Sequence, residues 1–148
     1  MTQRSSEALE RFKSGYFCSQ AVLSVFCEEL GMDHPTALKV ASGFGGGMGR
    51  MGEVCGAVTG ALVALGLHDW KADPPTPDEK NKVSERVQSF TKEFKQRYGS
   101  IICKDLIGCD LSTPQGYKEA TDKGVFVSVC RPVVEDAVQI LEQMLARK

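Results

Sequence analysis

An all-α fold, a compact bundle of about five to seven helices in a single domain over residues 1–148, is what this sequence predicts. Three observations carry that expectation. Apolar residues recur at steps of three and four along most of the chain. Glycine and proline fall where such runs stop. No segment alternates in the manner of a strand except Val125 to Val129, and its FVSV fits better before or inside a final helix.

Taken in order, Ser5 or Ser6 caps a first short helix through about Lys13. A second helix is expected from about Ser19 to Leu30, with Ala21, Val22, Val25 and Phe26 on one face and Gly31 as its stop. Thr36 to Ser42 reads as a short helix running into GFGGGMGRMG, where six of the ten residues from Gly43 to Gly52 are glycine and regular structure should break. Another helix follows from about Glu53 to Leu67, and HDWKADPPTP then reads as an exposed connection. From Pro77 to Tyr98 the series Val83, Val87, Phe90, Phe94, Tyr98 lines one face, with charged residues covering the other. Ser100 can cap a short helix from Ile101 to about Ile107 that Gly108 ends, and CDLSTPQGYKEATDKG is expected to be irregular with one turn of helix. The last helix should begin near Pro132, with Val133, Val134, Ala137, Val138, Leu141 and Leu145 on its buried stripe.

Composition narrows the function. Lysine plus arginine number 18 against 19 acidic residues, so the chain lacks the basic footprint of a nucleic-acid binder or a polybasic membrane patch. Val54 to Leu67 is apolar but short of the ~20 residues that span a bilayer, so no membrane insertion is expected. The start, MTQRSSEALE, lacks the apolar stretch of a signal peptide, which points to the cytoplasm. Six cysteines stand out against two histidines. In a reducing compartment they are more readily metal ligands, redox thiols or small core residues than permanent crosslinks.

Four of the six share one local setting. Cys18, Cys55, Cys103 and Cys130 each fall at an expected helix start, where free backbone N–H groups and the helix dipole favour a thiolate. Each also has small or apolar residues three and four positions onward, so all four sulfurs should face inward and could converge. For any one of them, a small buried hydrophobe is the simplest account. Cys27 reads as core inside the second helix, and Cys109 as a spare ligand, a resolving thiol or surface filler. No pair has C-x-x-C spacing, so any site must be assembled from distant segments. The glycine run fits G-x-G-x-x-G only without the preceding strand that gives that motif its mechanism; glycine there lets the backbone pass close to a helix, an anion or a cofactor. His34 and His68 lie in polar segments and read as surface residues.

Cys18 in CSQAV, the CGAxxG stretch Cys55-Gly56-Ala57-Val58-Thr59-Gly60 after its glycine-rich lead, Cys103 in CKDLIGCDL and Cys130 near the final helix together resemble the C_GCAxxG_C_C family of redox-active proteins. The resemblance covers about residues 15 to 145. It implies redox chemistry, a source among anaerobic prokaryotes, and four shared cysteines that map onto Cys18, Cys55, Cys103 and Cys130. Cys27 and Cys109 depart from that pattern. Independently of the family, Gly56, Ala57 and Gly60 remove bulk around Cys55, which would let a helix or an inorganic cofactor approach the sulfur.

Three functions compete. In the first, favoured by a small margin, the four thiolates hold one centre, an iron-sulfur cluster in electron transfer before a zinc ion. In the second, a metal-free thiol–disulfide redox protein, Cys55 attacks and another cysteine resolves the mixed disulfide. The third is a non-catalytic helical accessory module whose cysteines fill space. A redox partner protein is implied by the first two, and a glycine-rich surface beside an apolar helix would suit a homodimer.

Overall fold

The computed structural model describes residues 1–147 and is helical throughout, with eight α-helices and no strand among the described residues. The helices are α1 (Gln3–Lys13), α2 (Cys18–Ser24), α3 (His34–Ala41), α4 (Gly56–Asp69), α5 (Pro77–Tyr98), α6 (Cys103–Ile107), α7 (Pro114–Lys123) and α8 (Arg131–Ala146). The only extended pairing there is one antiparallel bridge, Val54 to Ile102. Among the described residues no helix is long and apolar enough to cross a membrane.

Capping explains most boundaries, including those that depart from the expected ones. Thr2, rather than Ser5 or Ser6, caps α1, with Ser5 completing a reciprocal capping box. Asp33 and Thr76 cap α3 and α5, each followed by a proline in the first turn. The second helix is broken. It ends at Ser24, and a separate 3-10 turn, Glu28–Leu30, carries the chain to a left-handed Gly31.

The helix count exceeds five to seven mainly because of α7. Thr113 caps it, Pro114 opens it and left-handed Gly124 closes it, so the segment expected to be irregular is a ten-residue helix. A π-helical turn, Phe126–Cys130, then runs into α8 with no break. The FVSV segment is therefore helical, and α8 has no free N-terminus at Pro132.

Two apolar clusters hold these elements. The larger packs α1, α2, α4, α5 and α8 around Leu23, Phe26, Leu65, Phe90, Phe94, Ile140 and Leu141, all buried. Burying each such side chain is worth about 1.5–3 kcal/mol. The smaller gathers Cys103, Ile107, Cys109, Leu111, Ala120 and Val125.

Candidate functional site

The glycine run does not end in a loose loop. Gly46, Gly47, Met48, Gly49 and Arg50 follow one another at φ of +66°, +70°, +67°, +61° and +64°, a left-handed turn in which two of the five residues are not glycine. A left-handed conformation costs an ordinary L-residue about 1–2 kcal/mol, so Met48 and Arg50 are held there by their surroundings. The turn leads into a clasp: the Glu53 N–H donates to Gly47 O at 2.8 Å, the Cys103 N–H to Glu53 O at 2.6 Å and the Cys55 N–H to Ile101 O at 2.7 Å. This clasp brings the start of α4 beside the start of α6. A Cβ on Gly47 would lie 2.6 Å from the Cys103 Cβ, so the glycine permits that approach.

The small residues of the CGAxxG stretch serve Cys18 as much as Cys55. A Cβ on Gly56 would stand 2.5 Å from the Cys18 Sγ, and one on Gly60 would stand 2.6 Å from the Ser19 carbonyl oxygen. Gly56 and Gly60 are four residues apart on one face of α4, and that face receives the first turn of α2. Ala57 is fully buried in the main core. Of the three residues expected to make room for a cofactor, Gly56 lines the cavity described next, while Ala57 and Gly60 pack helix on helix.

Cys18, Cys55, Cys103 and Cys130 all line one cavity of about 310 Å³, whose remaining wall is mostly apolar and includes Tyr16, Leu106, Ile107, Tyr117, Phe126 and Val133. Cys27 and Cys109 lie outside it. Cys27 is fully buried in the main core, its thiol donating to Ser24 O at 3.4 Å. Cys109 is buried in the smaller cluster, so it is not surface filler. His34 meets the Tyr16 hydroxyl at 3.2 Å and His68 meets Asp69 at 2.6 Å; neither lines the cavity.

The four thiols are not equivalent. The groups that act on the Cys18 sulfur are the Cys55 side chain and the backbone N–H groups of Gly46, Ser19 and Ala57. Those donors outweigh burial and pull the Cys18 thiol down to about 7. Cys55 moves the opposite way, well above the ordinary thiol range, because the Cys18 sulfur holds its proton and burial disfavours a second charge. Burial, with the nearby Cys18 charge, pushes Cys103 up to about 11 and Cys130 up to about 12. Cys130 differs from the expectation for a simple reason. It sits inside the continuous π-to-α helix and has no free helix terminus to stabilise a thiolate.

Among the described residues no three cysteine, histidine, aspartate or glutamate side chains stand close enough to hold one metal ion. As placed, the four thiols line one cavity without three of them standing close enough to share one ion.

Several wall residues carried no signal in the sequence. Arg50 lies in the glycine run, Tyr117 in the segment read as irregular and Phe126 in the π turn. The Arg50 guanidinium stacks 4.8 Å over the Tyr117 ring, which in turn packs on Phe126 at 5.4 Å.

An all-helical chain with four cysteines around one cavity, two of them in thiol contact, defines a cysteine-based helical protein. Its family follows from the matching profile: over residues 16–144 the chain belongs to the family described as "Putative redox-active protein (C_GCAxxG_C_C)". Comparison with curated proteins and with solved structures gives no match.

Proposed function

We propose that the chain is a thiol–disulfide redox protein in which Cys18 attacks and Cys55 resolves. The observation that supports this reading is the Cys18–Cys55 contact, with three backbone N–H groups directed at Cys18. A thiolate, not a thiol, is the nucleophile, and one with a pKa near ambient pH combines adequate population with adequate nucleophilicity. This assigns the attack to Cys18, where the sequence favoured Cys55.

The Cys18 thiolate bonds to one sulfur of an incoming disulfide, the disulfide bond breaks, and the far sulfur departs with the electron pair. Cys55 then gives up its proton and attacks the Cys18 sulfur, closing a Cys18–Cys55 disulfide and releasing the second half. Two electrons have passed from the dithiol to the disulfide; one departing half takes the Cys55 proton and the other leaves as a thiolate. Return to the dithiol requires a reducing dithiol, which a redox partner protein would supply.

A second reading has one observation in its favour: Cys103 and Cys130 share the cavity with the pair. A thiolate-held iron-sulfur cluster, or a zinc ion, would need those two side chains to move inward.

One preparation separates the readings. Protein purified without oxygen is assayed for iron, zinc and free thiols, then oxidised mildly and mapped by mass spectrometry. The exchange reading expects reversible loss of two thiols and a Cys18–Cys55 disulfide. Stoichiometric metal lost on Cys→Ser change at any of the four cavity cysteines would replace it with the second reading. Mild effects of all four changes, separately and together, would leave the accessory module.

A further inference from the structure

The thiol pair occupies one part of the cavity, and a single cation stands on its wall. Among the residues that line the cavity there is no aspartate or glutamate, and Arg50 is the only cationic side chain. Its guanidinium takes no ion pair or hydrogen bond among the described residues. Arg4, Arg11, Arg86, Arg97 and Arg147 are each paired with a carboxylate, and Arg131, which has no ion pair among the described residues either, does not line the cavity. Only the stacking on Tyr117 holds it.

Two further features indicate that this placement is built. Arg50 keeps a left-handed backbone, φ +64°, at a position where glycine would be unstrained and where the neighbouring Gly46, Gly47 and Gly49 already are glycine. Strain of this kind persists where the surrounding structure holds it, and it collects at binding and catalytic sites. Arg50 is also absent from the groups that lower the Cys18 thiol, which are Cys55 and the backbone of Gly46, Ser19 and Ala57. The guanidinium is not among the main groups that lower the thiol. An exposed, unpaired, planar cation that also lines an apolar cavity is suited to an anion brought by a ligand, for which arginine offers paired donors.

We propose that Arg50 is a substrate-binding residue that takes the anionic group of a low-molecular-weight disulfide, while the apolar wall takes its body and Cys18 meets its sulfur. The substrate class is a small disulfide carrying a carboxylate on an apolar frame. This rests on the exchange reading of the Cys18–Cys55 pair and adds its specificity. The covalent step is the one given above: the Cys18–sulfur bond forms, the ligand's disulfide breaks, and the leaving thiolate carries the electron pair.

The test compares two aryl disulfides on the full-length reduced protein. Dithiobis(nitrobenzoate) carries a carboxylate on each ring, and dithiodipyridine is neutral. Second-order rates for both are measured with the wild type, Arg50→Gly and Arg50→Lys, and with Cys18→Ser as the reference for attack at Cys18. Arg50→Gly suits the left-handed backbone, so folding is not at risk. The anionic-to-neutral rate ratio should fall about tenfold or more in Arg50→Gly, recover in part in Arg50→Lys, and decline with salt in the wild type. An unchanged ratio in Arg50→Gly, with both rates still dependent on Cys18, would overturn the role of Arg50 and leave the exchange reading standing. Rates that are the same in Cys18→Ser as in the wild type would overturn the exchange reading itself.

Discussion

Within one cavity, one cysteine is driven down and three others of identical chemistry are driven up. Around Cys18, donors from three separate segments and from Cys55 converge on one sulfur and lower it to about 7. Around Cys103 and Cys130 burial dominates, raising them to about 11 and 12. All four are enclosed, so burial alone does not decide a thiol's state. The decisive difference is the number of N–H and S–H groups aimed at the sulfur, and that number depends on how closely two backbones can approach. Gly56 and Gly60 provide that approach at Cys18, and the unbroken π-to-α helix prevents it at Cys130.

The largest expected effect comes from removing the low side of this contrast. With Cys18 lowered to about 7 and Cys103 raised to about 11, the thiolate at neutral pH falls on Cys18 by several orders of magnitude over Cys103. The higher intrinsic nucleophilicity of the more basic sulfur recovers part of that, which leaves about a hundredfold. Cys18→Ser should therefore slow attack on a small disulfide about a hundredfold, whereas Cys103→Ser and Cys130→Ser should each alter it only a few-fold, as read by stopped-flow absorbance. Comparable losses at all three positions would erase the contrast.

Next in size is the close approach itself. A Cβ on Gly60 meets backbone rather than a flexible side chain, so Gly60→Ala should destabilise the fold by about 1–3 kcal/mol in urea denaturation. Helix propensity alone predicts the reverse, a gain of about 1 kcal/mol. Gly56→Ala, whose Cβ would press on the Cys18 sulfur, should raise the pH at which Cys18 alkylates. The contrast sharpens further at Cys55, the largest lowering influence on Cys18. Cys55→Ala should move Cys18 back toward the ordinary thiol range, and Cys55→Ser, which keeps a donor, should move it less.

Stability should follow the same sign. Because the folded state lowers the Cys18 thiol, its contribution grows as pH rises from about 7 toward 9 and is lost as pH falls through 7. Cys103 and Cys130 are raised, so their contribution is present below about 9 and is lost above it. Denaturation of Cys18→Ser across pH 6 to 9 should lack the rise expected of the wild type. The smallest effect belongs to the left-handed turn. Met48→Gly should stabilise by up to about 1 kcal/mol, since relief of backbone strain is partly offset by a freer unfolded chain.

How much of this could be read from the residues varies with the signal. The helical class, α5 and the stop at Gly31 follow from periodicity and local chemistry, which act over a few residues. Helix α7 was also legible in principle: Thr113, Pro114 and Gly124 are standard start and stop signals, but weak apolar periodicity hid them. The left-handed turn at residues 46–50 was not legible, because propensity does not predict methionine or arginine at positive φ. The family match over residues 16–144 bears out the resemblance drawn from the cysteine order and CGAxxG. Which thiol of a pair carries the charge depends on donors from α2, α4 and the glycine turn at once, and no local pattern holds that information. Cys130 shows the limit from the other side, since Pro132 marks a helix start that the π turn has already passed.

The most direct measurement is a site-resolved alkylation profile of the reduced protein. Aliquots are labelled with iodoacetamide at pH 5 to 9, quenched, and each cysteine peptide is quantified by mass spectrometry. The account predicts that Cys18 labels with a midpoint near pH 7, while Cys55, Cys103 and Cys130 stay essentially unlabelled to pH 8. Labelling of Cys55 or Cys103 ahead of Cys18, or of all four together at the pH of an ordinary thiol, would contradict it.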